Sequence, residues 1–401
     1  MLLKLQFKRL CFNYYGNYMA KKSLKIALIH DYLREYGGAE RVLEALHEMF
    51  PKAPVYTAFV DEKAMGRNWS IFADWDIRQS KLIQLPLYKK LFSPMRIFAK
   101  WAFEQFDLSA YDLVISSSNA YFAKAVKVPN GIHYCYCHTP PRVLYGYSAK
   151  SNWQANPFTR FAGNLLNHFV RQMDFKAAQN PDFFIANSNE TAMRIQKFYK
   201  RKSVIINPPI KIYDEAKTFF DQLNKKELAD FTQQKSNSYY LYVNRLALAK
   251  HPELAVQAAN QLGIKLKVVG DGAMLKALKK MAQANIEFLG AVDDKQLAEL
   301  YKNARALIYP VEDEDFGMVP IEAMAFGTPV IAHYSGGPKE TIKEKETGLF
   351  FRNLTVESLV EAIKNFQDNF VLDSSKIHSS TNIYSYASFE KKLKFLFGIN
   401  S

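Results

Sequence analysis

The fold prediction starts from the stretch EDEDFGMVPIEAMAFGTPVIA, which runs from Glu312 to Ala332. An acidic loop leads through Phe316-Gly317 into an apolar helix that ends at Gly327, and a strand then begins at TPVIA. Glu322 is the one charged residue in that helix. We expect it near the helix start, where the dipole and the free N–H groups stabilise a carboxylate that can accept hydrogen bonds from a ligand.

Strand-like apolar runs alternate with helical patterns on both sides of this stretch. The first half contains six such runs, at 24–29, 55–59, 113–116, 133–137, 183–186 and 204–206. The second half contains six more, at 239–243, 266–269, 286–289, 306–309, 330–332 and 349–351. This alternation predicts an α/β architecture of two doubly wound, Rossmann-like domains that face each other across a cleft.

The domain boundaries follow from breaks in these patterns. We predict a first domain at 23–208, a linker region at 209–238 after the sequence NPPI, and a second domain at 239–384. A last helix at 385–401 has no strand after it, and we expect it to pack back on the first domain. Residues 1–22 are predicted to be an extension outside the fold, because MAKKSLKIALIHDY, starting at Met19, is typical of a start that leads straight into a strand.

The charge of the chain is strongly asymmetric. The net charge is +14, and residues 1–210 carry 29 Lys and Arg against 15 Asp and Glu, a balance of +14, while residues 211–401 carry 24 of each. Such a one-sided excess indicates either an anionic partner or a solvated basic face. Three cysteines in 401 residues argue against a disulfide framework and favour a reducing compartment.

Polar residues in the second half follow directly after predicted strands, where ligands of doubly wound sheets bind. Arg245 and Lys250 lie five apart in a strand-to-helix loop, and two cations beside a helix N-terminus suit a phosphate group. Gly270-Asp271-Gly272 forms a tight turn but lacks the full dinucleotide fingerprint. Glu314 and Glu322 are separated by seven residues on either side of the Phe316-Gly317 turn, which we expect to face the cleft.

Taken together, these segments resemble glycosyltransferase family 4, retaining enzymes of the GT-B fold. EDFGMVPIEAMAFGTPVIA is similar to the E-x7-E element of that family. Six further segments occur in the order that the family uses, and they are GGAERV at 37–42, ANSNETAMRI at 186–195, VNRLALAK at 243–250, VVGDG at 268–272, GGPKETI at 336–342 and TGLFF at 347–351. The resemblance covers about residues 24–365.

The resemblance implies a role for each matching residue. The second domain would bind a nucleotide sugar, with Arg245 and Lys250 on the diphosphate, Glu322 on the ribose hydroxyls and Glu314 on the donor sugar. The first domain would lie on the acceptor side, with its Gly37-Gly38 loop against the phosphates or the acceptor. The implied donor site is completed by Gly270, Asp271, Phe316, Gly317, Met318 and Val319. The family needs no metal and no cofactor other than the nucleotide-sugar donor.

Two stretches in the first half narrow the resemblance. HDYLREYGGAERVLEALHEMFP and YCHTPPRVLYGY are similar to GDP-mannose-dependent mannosyltransferases of O-antigen and exopolysaccharide assembly. His138 matches the position where that branch has a histidine close to the donor sugar, and Arg142 lies near it. The acceptor would then be a lipid-linked oligosaccharide or a similar glycan. A UDP-sugar-dependent transferase, a nucleotide-sugar epimerase, a sugar phosphorylase and an inactive scaffold remain alternatives.

The sequence also bears on three other partner classes: membranes, metal ions and nucleic acids. The segment 84–106 interleaves basic residues with Leu, Phe, Tyr and Trp, which suits either the interface of a membrane or an amphipathic helix packed on its own domain. We expect the first, which would place a cytoplasmic enzyme on the inner leaflet. HYCYCH lacks the spacing and the second cysteine pair of a structural zinc site. No recognition motif supports nucleic-acid binding.

Overall fold

The structure is a computed structural model that describes residues 24–84, 88, 96–119, 121–147, 157–235 and 238–399. The predicted extension at 1–22 and much of the segment 84–106 lie outside these residues. The described chain folds into two parallel β-sheets with helices on both faces, and the predicted fold class is confirmed.

The first sheet has seven parallel strands in the order β3-β2-β1-β4-β5-β6-β7. Its strands are β1 (Ile26–His30), β2 (Val55–Thr57), β3 (Ile77–Gln79), β4 (Leu113–Ser118), β5 (Ile132–Cys137), β6 (Phe183–Ala186) and β7 (Ser203–Ile205). Its helices are α1 (Gly38–Met49), α2 (Glu62–Met65), α3 (Arg96–Glu104), α4 (Pro157–Ala177) and α5 (Asn189–Tyr199). Six of the seven strands lie at the predicted runs.

The second sheet has six parallel strands in the order β10-β9-β8-β11-β12-β13. They are β8 (Tyr240–Val243), β9 (Leu266–Val269), β10 (Ile286–Gly290), β11 (Ala306–Tyr309), β12 (Val330–His333) and β13 (Gly348–Phe351). The helices around it are α6 (Tyr213–Asp221), α7 (Lys225–Lys235), α8 (Pro252–Leu262), α9 (Leu275–Met281), α10 (Asp294–Asn303), α11 (Met318–Ala325), α12 (Pro338–Thr341), α13 (Val356–Asn369) and α14 (Ser374–Ser379).

The segment predicted as a linker, 209–238, contains α6 and α7, and it packs on the second sheet. Ile210, Tyr213 and Ala216 are buried in the same apolar cluster as strands β8 and β11. Lys235 is also buried, and its ammonium group donates to the carbonyl of Phe326 at 2.8 Å, at the end of α11. The second domain therefore begins in the structure at about residue 210.

The last helix, α15 (Tyr386–Phe397), crosses back to the first sheet. Phe389, Leu393 and Phe397 belong to the apolar cluster that covers one face of that sheet, and the ring of Phe397 lies 4.9 Å from that of Tyr134. Ser385 caps the start of this helix by accepting a hydrogen bond from the backbone N–H group of Ser388. The chain thus returns to its first domain after completing the second.

We predict that Leu393→Ala lowers the free energy of unfolding by about 2–5 kcal/mol, because it removes a fully buried side chain from the core of the first sheet. Urea denaturation measures the change. Phe395→Ala on the same helix is the matched control, since that ring is 74% exposed and its loss should change stability by no more than about 0.5 kcal/mol. Equal effects of the two substitutions would contradict the packing of α15 on the first domain.

Candidate functional site

The carboxyl ends of the strands of both sheets meet at one cleft, and this arrangement gathers the predicted site residues. His138 follows β5, Arg245 and Lys250 follow β8, and Glu314 follows β11. The N-termini of α1 and α11 face each other across the cleft, where a Cβ atom added to Gly38 would lie 3.2 Å from the sulfur of Met318. A side chain at position 38 would therefore have to displace the Met318 sulfur slightly.

Glu314 is the most heavily contacted carboxylate at the cleft. It pairs with the ammonium group of Lys250, accepts a hydrogen bond from the Tyr309 hydroxyl at 2.9 Å and lies 3.9 Å from the guanidinium group of Arg142. Burial by itself would raise the pKa of Glu314, but Lys250 and Arg142 outweigh it and lower the pKa to about 2. Glu314 is therefore ionised at neutral pH and accepts hydrogen bonds.

The acidic loop around Glu314 is held by two arginines of the first domain. Arg142 donates to the carbonyl of Asp313 at 2.7 Å and to the carboxylate of Asp315 at 2.9 Å. Arg194, which is 2% exposed, pairs with the other carboxylate oxygen of Asp315 and donates to the same Asp313 carbonyl at 3.1 Å. These contacts fix the backbone on both sides of Glu314.

Glu322 is buried in the structure and is the fifth residue of α11. One of its oxygens pairs with Arg41 of the first domain, and the other accepts a hydrogen bond from the Tyr301 hydroxyl at 3.0 Å. The expected stabilisation at the start of the helix is therefore replaced by a salt bridge between the domains and one phenol. The sequence prediction missed both partners.

Arg245 lies at the mouth of the cleft and is half exposed, with its guanidinium group 3.0 Å from the carboxylate of Glu35. The Gly270-Asp271 turn supports the loop that carries it. A Cβ atom on Gly270 would lie 1.9 Å from the carbonyl oxygen of Asn244, and the Leu246 N–H group donates to the Asp271 carbonyl at 2.9 Å. The glycine is thus required by the close passage of two backbone segments.

The turn into α11 is divided between the core and the cleft. The Phe316 side chain is buried and packs 5.7 Å from the ring of Tyr384, so only its backbone is available to a ligand. Gly317 has φ of +86°, a left-handed conformation that favours glycine, and α11 begins at the next residue. Met318 and Val319 are half-buried in the first turn of that helix.

His138 is almost fully buried, and its carbonyl accepts hydrogen bonds from Asn187 at 2.9 Å and Thr191 at 3.1 Å. Its Nε2 lies 2.8 Å from the hydroxyl of Ser117, at the end of β4. Burial, and then the neighbouring His30, lower the pKa of His138 to about 3. The ring is therefore neutral at physiological pH and can act as a hydrogen-bond partner but not as a cation.

Several residues of the site carry no local signal in the sequence. They share a position between the domains and are Arg41, Arg194, Tyr301, Tyr309 and Asp315. Arg41 and Glu322 are 281 residues apart. Arg41, Arg194 and Asp315 do lie inside quoted motifs, which is the one hint that the sequence offers. Among the described residues, no three His, Cys, Asp or Glu side chains converge as a metal site.

Comparison with known proteins places these residues in a family. Residues 224–375 match the family model of the glycosyl transferases group 1. This interval contains Arg245, Lys250, Gly270, Glu314 and Glu322. The predicted resemblance is confirmed for this part of the chain as a group 1 glycosyltransferase domain.

Two curated relatives and one solved structure illustrate the similarity. The alpha-1,3/1,6-mannosyltransferase ALG2 of Candida glabrata is 24% identical over 85% of this chain and 84% of its own. A GDP-mannose-dependent alpha-mannosyltransferase of Mycobacterium tuberculosis is 38% identical over 27% of this chain and 28% of its own. The structure of Anabaena Alr3699/HepE in complex with UDP and glucose superposes with a TM-score of 0.65 at 16% identity, covering 94% of this chain and 100% of that one.

We predict that the stabilising effect of Glu314 depends on pH. Its pKa is about 2 in the fold against an ordinary value of 4.5, so its contribution of about 3 kcal/mol is complete above pH 4.5 and is lost as the pH falls towards 2. Glu314→Gln should therefore be less stable than the wild type at pH 7, and the difference should narrow below pH 4.5 in thermal unfolding.

The control is Glu312→Gln in the same loop, at an exposed position. Its difference from the wild type should be small at every pH, because an exposed carboxylate gains little from the fold. A stability difference for Glu314→Gln that stays constant with pH would contradict the proposed ionisation of Glu314.

Proposed function

The chain carries a group 1 glycosyltransferase domain within a GT-B fold, and from this we propose that it is a mannosyltransferase that moves mannose from GDP-mannose to a glycan acceptor. The observation that carries the proposal is the pairing of Lys250 with Glu314, both inside the matched family interval, at a point of the cleft that Arg142 of the first domain also reaches. The names of the relatives support mannose as the transferred sugar.

The donor diphosphate would bind to Lys250 and Arg245, beside the start of α8. Two cations can stabilise the negative charge that develops on the leaving phosphate without a metal ion. Both cations are now paired with carboxylates, Lys250 with Glu314 and Arg245 with Glu35. The diphosphate would share or replace these partners, and Glu314 would then accept hydrogen bonds from the mannose hydroxyls.

The nucleoside would reach Glu322 only when the cleft opens. Arg41, which belongs to the first domain, now occupies one oxygen of Glu322, while Tyr301 of the second domain holds the other. Separation of the domains would withdraw Arg41 and leave Tyr301 in place. The freed oxygen would then accept a hydrogen bond from a ribose hydroxyl, and Glu322 would remain oriented throughout.

The proposed reaction retains the configuration of the sugar. The acceptor hydroxyl would attack the anomeric carbon on the face from which the diphosphate leaves. As the bond between that carbon and the phosphate oxygen breaks, the leaving phosphate would take the acceptor proton. Near neutral pH Glu314 is ionised and His138 is neutral, so neither would act as a general acid. Both side chains would instead position the sugar.

The acceptor side would lie at a membrane surface. Helix α3 presents Ile97, Phe98 and Trp101 to solvent, and the last two are about half exposed at 47% and 48%. Aromatic side chains in a positively charged domain suit the interface of an anionic leaflet. A lipid-linked oligosaccharide on the inner leaflet would be delivered there. Among the described helices, none is both long and apolar enough to cross a membrane.

We predict that Phe98→Ser/Trp101→Ser reduces co-sedimentation with vesicles containing anionic phospholipid by at least about tenfold, because it removes the exposed aromatic surface. Val371→Ser is the matched control, since that side chain is 68% exposed but belongs to the second domain. Equal vesicle binding by the wild type and the double variant would contradict the proposed membrane surface.

We predict that GDP and GDP-mannose raise the melting temperature selectively within a panel that also contains UDP, ADP, UDP-glucose and UDP-N-acetylglucosamine.

Glu314→Ala, Lys250→Ala and His138→Ala should each lower the release of GDP from GDP-mannose at least about a hundredfold. Lys343→Ala, at a position 67% exposed, is the control. Stabilisation by UDP compounds alone would replace mannose with the UDP-sugar alternative, and near-normal turnover would remove the affected residue from the site.

A further inference from the structure

We propose that a relay of three buried side chains fixes which nitrogen of the His138 ring carries the proton. The relay consists of Glu40, His30 and Ser117, which run from the start of α1 to the ends of β1 and β4. The inference rests on the proposed function in one respect, since it gives His138 a defined part in holding the donor sugar. None of the three relay residues would touch the sugar, and they are therefore positioning residues.

The contacts form one continuous chain. The Nε2 atom of His30 lies 3.4 Å from Glu40 Oε1, and its Nδ1 lies 3.1 Å from the hydroxyl of Ser117. The same hydroxyl lies 2.8 Å from Nε2 of His138. His30, Glu40 and Ser117 are all less than 10% exposed, so water does not compete for these groups.

The direction of the hydrogen bonds follows from the acceptor at the end of the chain. An ionised carboxylate only accepts. With a single proton on its ring, His30 therefore donates from Nε2 to Glu40, and its Nδ1 is left as an acceptor. Ser117 then donates its single hydrogen to His30. Its oxygen can only accept from His138, which must carry its proton on Nε2.

The remaining nitrogen of His138, Nδ1, is consequently an unprotonated acceptor. Among the described residues, the bond to Ser117 is the side-chain hydrogen bond that the His138 ring makes, and Nδ1 is not one of the fully buried polar atoms that lack a partner. This atom can accept a hydrogen bond from a hydroxyl of the donor sugar. The opposite tautomer would present an N–H group and would require an acceptor from the ligand instead.

Glu40 provides a substitution that reverses the relay without changing its shape. The other oxygen of Glu40 accepts the backbone N–H group of Gly37 at 2.8 Å. In Glu40→Gln, the amide oxygen must keep that bond, so the NH₂ group faces His30 and donates to Nε2. His30 then donates from Nδ1 to Ser117, Ser117 donates to His138, and the proton of His138 moves to Nδ1.

The test is long-range proton–nitrogen NMR on the full chain with isotope-labelled histidine. The signal of His138 is assigned by its loss in His138→Gln. We expect an unprotonated Nδ1 in the wild type, a protonated Nδ1 in Glu40→Gln and a mixture of the two tautomers in Ser117→Ala. Glu48→Gln, an exposed position on the same helix, is the control and should match the wild type.

A kinetic measurement accompanies the spectra. Glu40→Gln should lower the turnover of GDP release from GDP-mannose at least about tenfold with little change in KM, since an inverted tautomer misorients the sugar without removing its binding groups. A wild type with its proton on Nδ1, or a Glu40→Gln protein with the wild-type tautomer, would overturn the relay. Predicted tautomers without turnover of any donor would support the relay and contradict the proposed function.

Discussion

The arrangement of the cleft depends on the two arginines of the first domain that hold Asp315. Arg142 and Arg194 take one carboxylate oxygen each and also share the Asp313 carbonyl. Because the residues on both sides of Glu314 are held in this way, its carboxylate meets Lys250 and Tyr309 in a fixed position. The same contacts join the two sheets at their carboxyl ends, where a ligand of this fold binds.

These contacts give part of the basic excess of the first domain a structural role. The first domain supplies Arg41, Arg142 and Arg194, and the second domain supplies the carboxylates that they meet across the cleft. A buried ion pair adds little net stability, but removing one partner strands the other charge away from water. We therefore interpret these pairs as setting the relative position of the domains. The cleft cations have carboxylate partners that an anionic ligand would have to share or replace.

The sequence predicted the strands well where burial produces long apolar runs. It missed β3, since IRQ is a short edge strand with two exposed residues and has no apolar pattern. The sequence indicated Glu314, Lys250 and His138 as candidate site residues, because each follows a strand or lies in a motif. It could not predict Arg41 opposite Glu322, because a contact over 281 residues leaves no trace in local spacing. For the same reason, the sequence did not indicate that Arg41 and Tyr301 hold Glu322.

The most direct test of the account is the affinity of GDP for the wild type and for Lys250→Ala, measured by isothermal titration calorimetry at low and at high salt. If Lys250 gives up Glu314 to hold the diphosphate, the variant should bind GDP at least about tenfold more weakly, and the salt dependence of binding should decrease with the loss of one charge. Equal affinities and equal salt dependence in the two proteins would contradict the assignment of the diphosphate site to this part of the cleft.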